Sequence, residues 1–393
     1  MADRPLGVAV IGAGMAGRSH AAGYRNAGTL YGEGLPPVHL AAIADVNEAF
    51  AADTARRYGY ERSESTWQAV AEANDVDVVS VVVANPLHRE IAEGLLAAGK
   101  HVLCEKPMAP SVEDAEAMVG AARAAGREAS IGFVFRRSPA ISAIRDQVQA
   151  GVIGSPVHFN GRYWCDYGVN PSGPMSWRYK GGPGSGALSD IGSHLIDLAE
   201  FVCGPLASVR GATLSTYVTQ RALPLGSAVG HAAAQLSNTY EPVENEDLVT
   251  FTASFASGAT GTFSVSRAAY GHANSLGFEV FGQTGAATFD LDRPAEFGFA
   301  DTSVTDPATS GHRTVPVGPA HPYLHGGMPM DFPGVSYGQN DLFVFQARAF
   351  LEQVAGFEGL PRMASFEDGL HNLRLLDAVV ASAQSGGAEV KVA

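Results

Sequence analysis

Lysine is scarce in this chain: of 26 basic residues only Lys100, Lys106, Lys180 and Lys391 are lysines, and the rest are arginines. That scarcity marks each remaining lysine as a candidate for a specific task, although drift alone also leaves a few. Cysteine is scarcer still. Cys104, Cys165 and Cys203 are odd in number and widely spaced, which argues against a disulfide framework and provides no zinc-ligand spacing. No apolar run reaches the ~18 residues that suggest a membrane span. Positive charge is in deficit, with a formal net charge of −14, so nucleic acid and anionic membranes, which select basic surfaces, are not expected as partners. Met1-Ala-Asp-Arg-Pro5 runs straight into an apolar strand and leaves no room for a signal peptide. At 393 residues, 46% of them hydrophobic, the chain is too long for one ordinary core and fits two domains. These absences predict a cytoplasmic, enzyme-sized protein without a metal site.

The first third reads as a nucleotide-binding fold. Leu6–Ile11 is a short apolar run, followed by Gly12-Ala-Gly14-Met15-Ala16-Gly17 and a helical stretch through Asn26. In a strand–turn–helix context Gly12 permits the turn, Gly14 lets backbone approach a pyrophosphate, and Gly17 lets helix pack on strand. The helix N-terminus then offers N–H groups and a positive dipole end to the phosphates. The next strand, 38–44, ends at Asp45, whose carboxylate can accept from ribose hydroxyls and would repel a 2′-phosphate, favouring NAD over NADP. Asp45 lies 28 positions after Gly17, an excess explained by the Gly/Pro-rich segment 29–37. The alternative is an exposed helix cap. A continuous apolar run at 76–83, a helix over 87–98, a strand at 100–104 and a helix from Ser111 to before Gly126 repeat the alternation, which predicts a doubly wound parallel sheet. Gly12, Asp45, Asn85 and Lys106 all fall at carboxyl ends of strands, where such sheets bind ligands.

Beyond residue 128 the texture changes. A helix at 138–150, a strand near 156–164, a helix over 187–202 and alternating runs at 207–217, 247–256, 259–267, 276–282 and 286–291 predict an α+β domain with an open, mainly antiparallel sheet. Segments 219–245 and 301–340 show no period and read as long loops; a helix over 366–384 closes the chain. The expected division is 1–128 and 129–393. A sheet with one face uncovered predicts pairing of copies into a homodimer or homotetramer.

The richest stretch for chemistry is Asp190-Ile-Gly-Ser-His194-Leu-Ile-Asp197. On an α-helix these three polar residues share a face at i, i+4 and i+7, and a carboxylate beside an imidazole suits acid/base work. The alternatives are a solvated helix face and a set of metal ligands, though no further cluster completes a metal site. Lys106, after a buried strand and before Pro107, is placed to stabilise a developing alkoxide, or is a surface lysine in a loop. Arg136, Arg137, Arg178, Tyr163 and Asp166 are candidates to line a sugar pocket, and His312, His321 and His325 read as loop histidines.

Taken in order, Gly12-x-Gly14-x-x-Gly17, Asp45, Asn85 with His88, Glu105-Lys106-Pro107 and Asp190-Ile-Gly-x-His194-x-x-Asp197 resemble the Gfo/Idh/MocA oxidoreductases. The resemblance spans nearly the whole chain. It implies a Rossmann domain that holds NAD through Gly12, Gly14, Met15, Ala16, Gly17, Asp45, Asn85, His88, Glu105 and Lys106. It also implies that Lys106 activates the reacting hydroxyl, His194 is the general acid/base, and Asp190 positions substrate and histidine. The second half is most similar to the levoglucosan dehydrogenase and glycoside 3-dehydrogenase branch, through Phe133, Arg136-Arg137-x-Pro139, Ser176-Trp177-Arg178, Gly184-Ser-Gly186-Ala-Leu188 and Gly318-Pro-Ala-His-Pro-Tyr323. That branch implies oxidation of a secondary alcohol of a pyranose, anhydrosugar or glycoside at C3, with Lys106, Arg137, Tyr163, Arg178, Asp190 and His194 around the sugar. Inositol dehydrogenation and NAD-dependent glycoside cleavage are the alternatives. The chain departs from the family where Thr-Pro before Asn85 is Val83-Ala84, and where Asn-Tyr before the arginine pair is Val134-Phe135.

Overall fold

The computed structural model describes residues 4–32, 34–226, 235–306 and 308–392. The chain forms two compact units. The first comprises 1–139 with 318–373, and the second 140–317 with 374–393.

In the first unit, β1 (Leu6–Ile11), α1 (Met15–Leu30), β2 (Val38–Ala44), α2 (Glu48–Tyr58), β3 (Arg62–Glu64), α3 (Trp67–Glu72), β4 (Val78–Val81), α4 (His88–Ala97), β5 (His101–Cys104), α5 (Val112–Ala125) and β6 (Ala129–Ile131) alternate as expected. The sheet runs in the order β6-β5-β4-β1-β2-β3, all parallel, with the short strand Ala364–Ser365 added antiparallel beside β6. The order reverses between β4 and β2 on either side of β1, and the crevice outside the strand ends there is where such sheets take ligands. Local signals set the helix ends. Asn47 and Ser111 accept amides at the starts of α2 and α5, and Gly59 and Gly126 end those helices at φ 74° and 59°, values that favour glycine.

The expected boundary at 128/129 misses a return of the chain. The helix Gln339–Ala355 belongs to the first unit and packs on α1. A Cβ on Gly23 of α1 would stand 2.6 Å from the Phe343 carbonyl oxygen. Tyr24 and Ala27 share a core with Ala347, Phe350 and Leu351. The face of α1 turned from the sheet needs apolar cover, and a distant segment supplies it.

The second unit is built on a nine-stranded sheet, ordered Arg313–Pro316, Glu296–Ala300, Ala286–Asp290, Ser275–Gly282, Pro156–Trp164, Thr260–Ser266, Leu248–Phe255, Leu206–Ser215, Val390–Lys391. One pair, Pro156–Trp164 with Thr260–Ser266, is parallel and the rest are antiparallel. Phe159, Phe251, Phe255, Phe263 and Phe278 are buried in contact on one face. The helix Ser193–Cys203 crosses that face at Gly161, where a Cβ would stand 2.8 Å from Leu195 Cδ1. Segment 219–245 is not wholly loop: Gln220–Pro224 pairs with Leu236–Pro242, and the expected loop residues 227–234 lie outside the described residues. Among the described residues no helix is long and apolar enough to cross a membrane.

Candidate active site

In the first unit the glycine turn has the geometry its spacing predicts. Gly12 sits at φ 104°, and a Cβ there would meet the Val82 carbonyl at 2.0 Å. A Cβ on Gly17 would lie 1.8 Å from the Gly12 oxygen, so helix and turn touch there. Gly14 differs from both. Its φ of −68° suits any residue, and a Cβ would meet nothing within 4 Å. Sterics within the chain therefore do not require glycine at 14, whereas close approach of a ligand would. The first turn of α1 has no acidic residue and no side-chain cap, and Met15 is exposed beside it. A pyrophosphate fits a helix start of this kind. Asp45 accepts from the Ala13 amide at 2.7 Å and the Asn47 amide at 2.8 Å. It thus ties the glycine turn to the end of β2, while a carboxylate retains lone pairs for ribose hydroxyls.

Lys106 and Asn85 are half-buried at the ends of β5 and β4, and two buried histidines brace the segment around the lysine. His20 of α1 meets Glu105 Oε1 at 2.8 Å and Ser80 Oγ at 3.1 Å, and Tyr24 joins Ser80 at 2.8 Å. The other Glu105 oxygen accepts from the Lys106 amide at 3.2 Å. Burial pushes the Glu105 carboxyl up, but His20 and Lys106 outweigh it and hold the group below its usual range. His88 is fully buried, with Nδ1 at 3.1 Å from the Pro107 carbonyl and Nε2 at 3.1 Å from that of Val83. Burial lowers its pKa. His88 and Glu105, expected beside the cofactor, thus direct these ring and carboxylate atoms at protein partners.

In the second unit the helix carrying Asp190 and His194 departs from α geometry. Leu188–Gly192 is one π turn, and the α-helix begins at Ser193. The Ser193 amide reaches back five residues to the Leu188 carbonyl, while its hydroxyl takes the Ser189 carbonyl at 2.8 Å. Single π turns often mark functional sites. The wide turn changes the expected i, i+4 step from Asp190 to His194 and leaves His194 and Asp197 at i, i+3. Both are buried, at 7% and 3% exposure. The Tyr163 ring lies 6.2 Å from that of His194, and its hydroxyl donates to Asn274 at 2.9 Å. Tyr167 donates to Asp190 Oδ2 at 2.5 Å. Arg178 lies over the Trp177 ring with its Nε buried and without a hydrogen-bond partner.

Several organising residues escaped the sequence reading. Glu246 accepts amides from Gly184, Gly186 and Leu188 at 2.7–3.1 Å, which fixes the start of the π turn. Burial raises its pKa against those amides and Arg267. Its neighbours Asn245 and Asp247 hold the Arg178 carbonyl and the Arg267 guanidinium. All three are nearly fully buried, although they fall where the sequence reads as the end of a loop (219–245) and the start of a strand (247–256). Arg137, expected at the sugar, is 2% exposed in the first unit and donates to the carbonyls of Pro361 and Arg362. Val134 and Phe135 are likewise interior. His321 is half-buried; burial lowers its pKa to about 4. Among described residues, His39, Glu61 and Asp75 cluster their ligand-type atoms within 4.8 Å, but Arg62 takes both oxygens of Asp75.

Comparison with known proteins decides the family. Residues 6–133 match the Gfo/Idh/MocA oxidoreductase family model, with its NAD-binding Rossmann fold, and 141–288 match the family's C-terminal domain. The chain belongs to this family. It is an NAD-dependent oxidoreductase. It is 35% identical to levoglucosan dehydrogenase of Pseudarthrobacter phenanthrenivorans over 96% of both chains. It is 36% identical to D-glucoside 3-dehydrogenase of Escherichia coli over 52% of this chain and 56% of that one. A solved levoglucosan dehydrogenase in complex with NADH and levoglucosan superposes with a TM-score of 0.89 at 33% identity, covering 99% of this chain and 100% of that one.

Proposed function

We propose that this family member oxidises a secondary alcohol of a pyranose sugar, anhydrosugar or glycoside at C3. The observation that carries the reading is a half-buried Asp190 and a buried His194 around one helix start, with Tyr163, Tyr167 and Arg178 also in that unit. A polyol needs several converging polar groups and an aromatic surface, and Trp177, 54% exposed, offers the latter. The likeness to levoglucosan dehydrogenase over nearly the full length supports an anhydrosugar or glucoside over an inositol.

The residues take the following roles. Gly12, Gly14, Met15, Ala16 and Gly17 receive the pyrophosphate, Asp45 the adenosine ribose, and Asn85 the nicotinamide end. NAD held there supplies the hydride acceptor. His194 takes the hydroxyl proton as general base, and Asp190 orients substrate and imidazole. Lys106 stabilises the oxygen as it gains negative charge. Glu105, His20 and His88 act behind Lys106 by fixing its backbone. Arg137 holds the 361–362 carbonyls.

The test is NADH formation by purified protein with levoglucosan, glucose, simple glucosides and inositols, with products identified by NMR. A 3-keto product from an anhydrosugar or glucoside is expected. Turnover of inositols alone, or release of sugar from a glycoside without net NADH, would overturn it.

A further inference from the structure

We infer that Tyr167 is a positioning residue for Asp190, held in place by a buried arginine pair. This rests on the assignment of Asp190 to the substrate. Tyr167 lies in the segment that follows strand Pro156–Trp164, and its 2.5 Å bond to Asp190 is short, as expected of a hydroxyl on a carboxylate. Such a segment can swing unless something fixes it. The next residue is fixed on both sides: the Gly168 amide donates to the Arg267 carbonyl at 2.7 Å, and its carbonyl accepts from Arg221 Nη2 at 2.6 Å. Arg221 also takes the Asn170 carbonyl at 2.8 Å. A Cβ on Gly168 would stand 2.8 Å from Arg267 Cγ, so the contact leaves no slack.

Arg221 and Arg267 are 0% and 1% exposed, and both guanidinium groups lie over the Tyr179 ring, at 4.0 and 4.6 Å. Arg267 pairs with Asp247 at 2.7 Å, whereas Arg221 is met by backbone carbonyls. Burying guanidinium groups costs solvation free energy. The arrangement gives in return one fixed geometry for the segment that carries Tyr167.

The chemical consequence is at the carboxylate. A phenol that donates to Asp190 turns it and favours its ionised form. Burial and the adjacent carboxylate both raise the Tyr167 pKa, so tyrosine keeps its proton and remains the donor. The groups around this pair include Tyr163, Cys165 and Arg267, with His194 on the helix of Asp190 itself.

The experiment uses full-length protein labelled with 13C at aspartate carboxyls, with the Asp190 resonance identified by its loss in Asp190→Asn. In Tyr167→Phe the Asp190 carboxyl should titrate at least about one pH unit higher than in the wild type. The kcat should fall roughly tenfold to a hundredfold, the range of a hydrogen bond to a charged group, with KM for NAD unchanged. Tyr270→Phe, at an 87% exposed position, should match the wild type in both respects. An Asp190 titration that is the same in Tyr167→Phe as in the wild type, or lower, overturns the inference. If the wild type oxidises no sugar, the substrate assignment fails, while the titration still decides the role of Tyr167.

Discussion

The glycine turn of the first unit and the π turn of the second each organise a candidate site by different means. At the turn, backbone forms the surface: Gly14 leaves space, Gly12 and Gly17 allow close packing, and one carboxylate, Asp45, ties turn to strand. At the π turn, side chains do the holding: Glu246 accepts backbone amides, Asp247 pairs with Arg267, and the half-buried Tyr167 donates to Asp190. Hydride chemistry belongs to a cofactor, so the protein there needs only to bind and orient it. Proton transfer is performed by the protein's own groups, and those need fixed positions and tuned ionisation.

The largest effect expected from breaking the second region is with His194→Ala, which should lower kcat by about 10²–10⁴-fold, the usual worth of a positioned general base. Its affinity for NAD, measured by calorimetry, should be that of the wild type. Lys106→Ala should lose about 10²–10³-fold, as for removal of one oxyanion donor. Turnover near normal in either variant removes the role assigned to it. The glycines then separate folding from binding. Gly14→Val should melt within a few degrees of the wild type yet bind NAD far more weakly, whereas Gly17→Ala should lose stability outright because of its 1.8 Å clash. Equal NAD binding by Gly14→Val would sink the cradle.

A smaller effect sharpens the contrast. Glu246→Gln keeps one acceptor and turns an amide toward backbone N–H groups, so it should cost about 1–3 kcal/mol of stability, as for unsatisfied buried donors. It should also lower kcat, because the π turn loses its anchor. Its pH signature follows from the raised carboxyl. A folded-state pKa above the unfolded one favours folding at low pH, and that contribution is lost as pH rises from the unfolded pKa through the folded one. Thermal melts across that window should therefore show a decline in wild type that is absent in the glutamine variant. The mildest expectation concerns assembly. Val157 and Leu248, on strands of the large sheet, are 52% and 38% exposed, and solution scattering at micromolar concentration should give a dimer or tetramer. A monomeric mass would contradict it.

The contrast between the regions also explains what could be read from the sequence. Turn glycines, the helix start at Ser111 and the apolar run at β4 are local signals, and all appear where expected. The helix Gln339–Ala355 was not legible as part of the first unit, because what makes it so is the apolar face of α1, more than 300 residues away in sequence. The π turn was hidden because a hydrophobic pattern is read against a period of 3.6, and one wide turn barely disturbs it. Glu246 and Asp247 carry no local signal at the junction of loop and strand, and only burial distinguishes them from solvated carboxylates. Arg137 shows the converse: its place beside Pro139 matches a sugar-binding pattern, while in the structure its guanidinium also donates to two carbonyls, which no local signal announces.

The central claim is transfer of hydride from C3 of a sugar to NAD. It is tested most directly by supplying levoglucosan deuterated at C3 with NAD to the purified enzyme and weighing the reduced cofactor by mass spectrometry. The account predicts reduced cofactor one mass unit heavier than that from unlabelled sugar, with a 3-keto product. Reduced cofactor of ordinary mass, formed at a comparable rate, would contradict it.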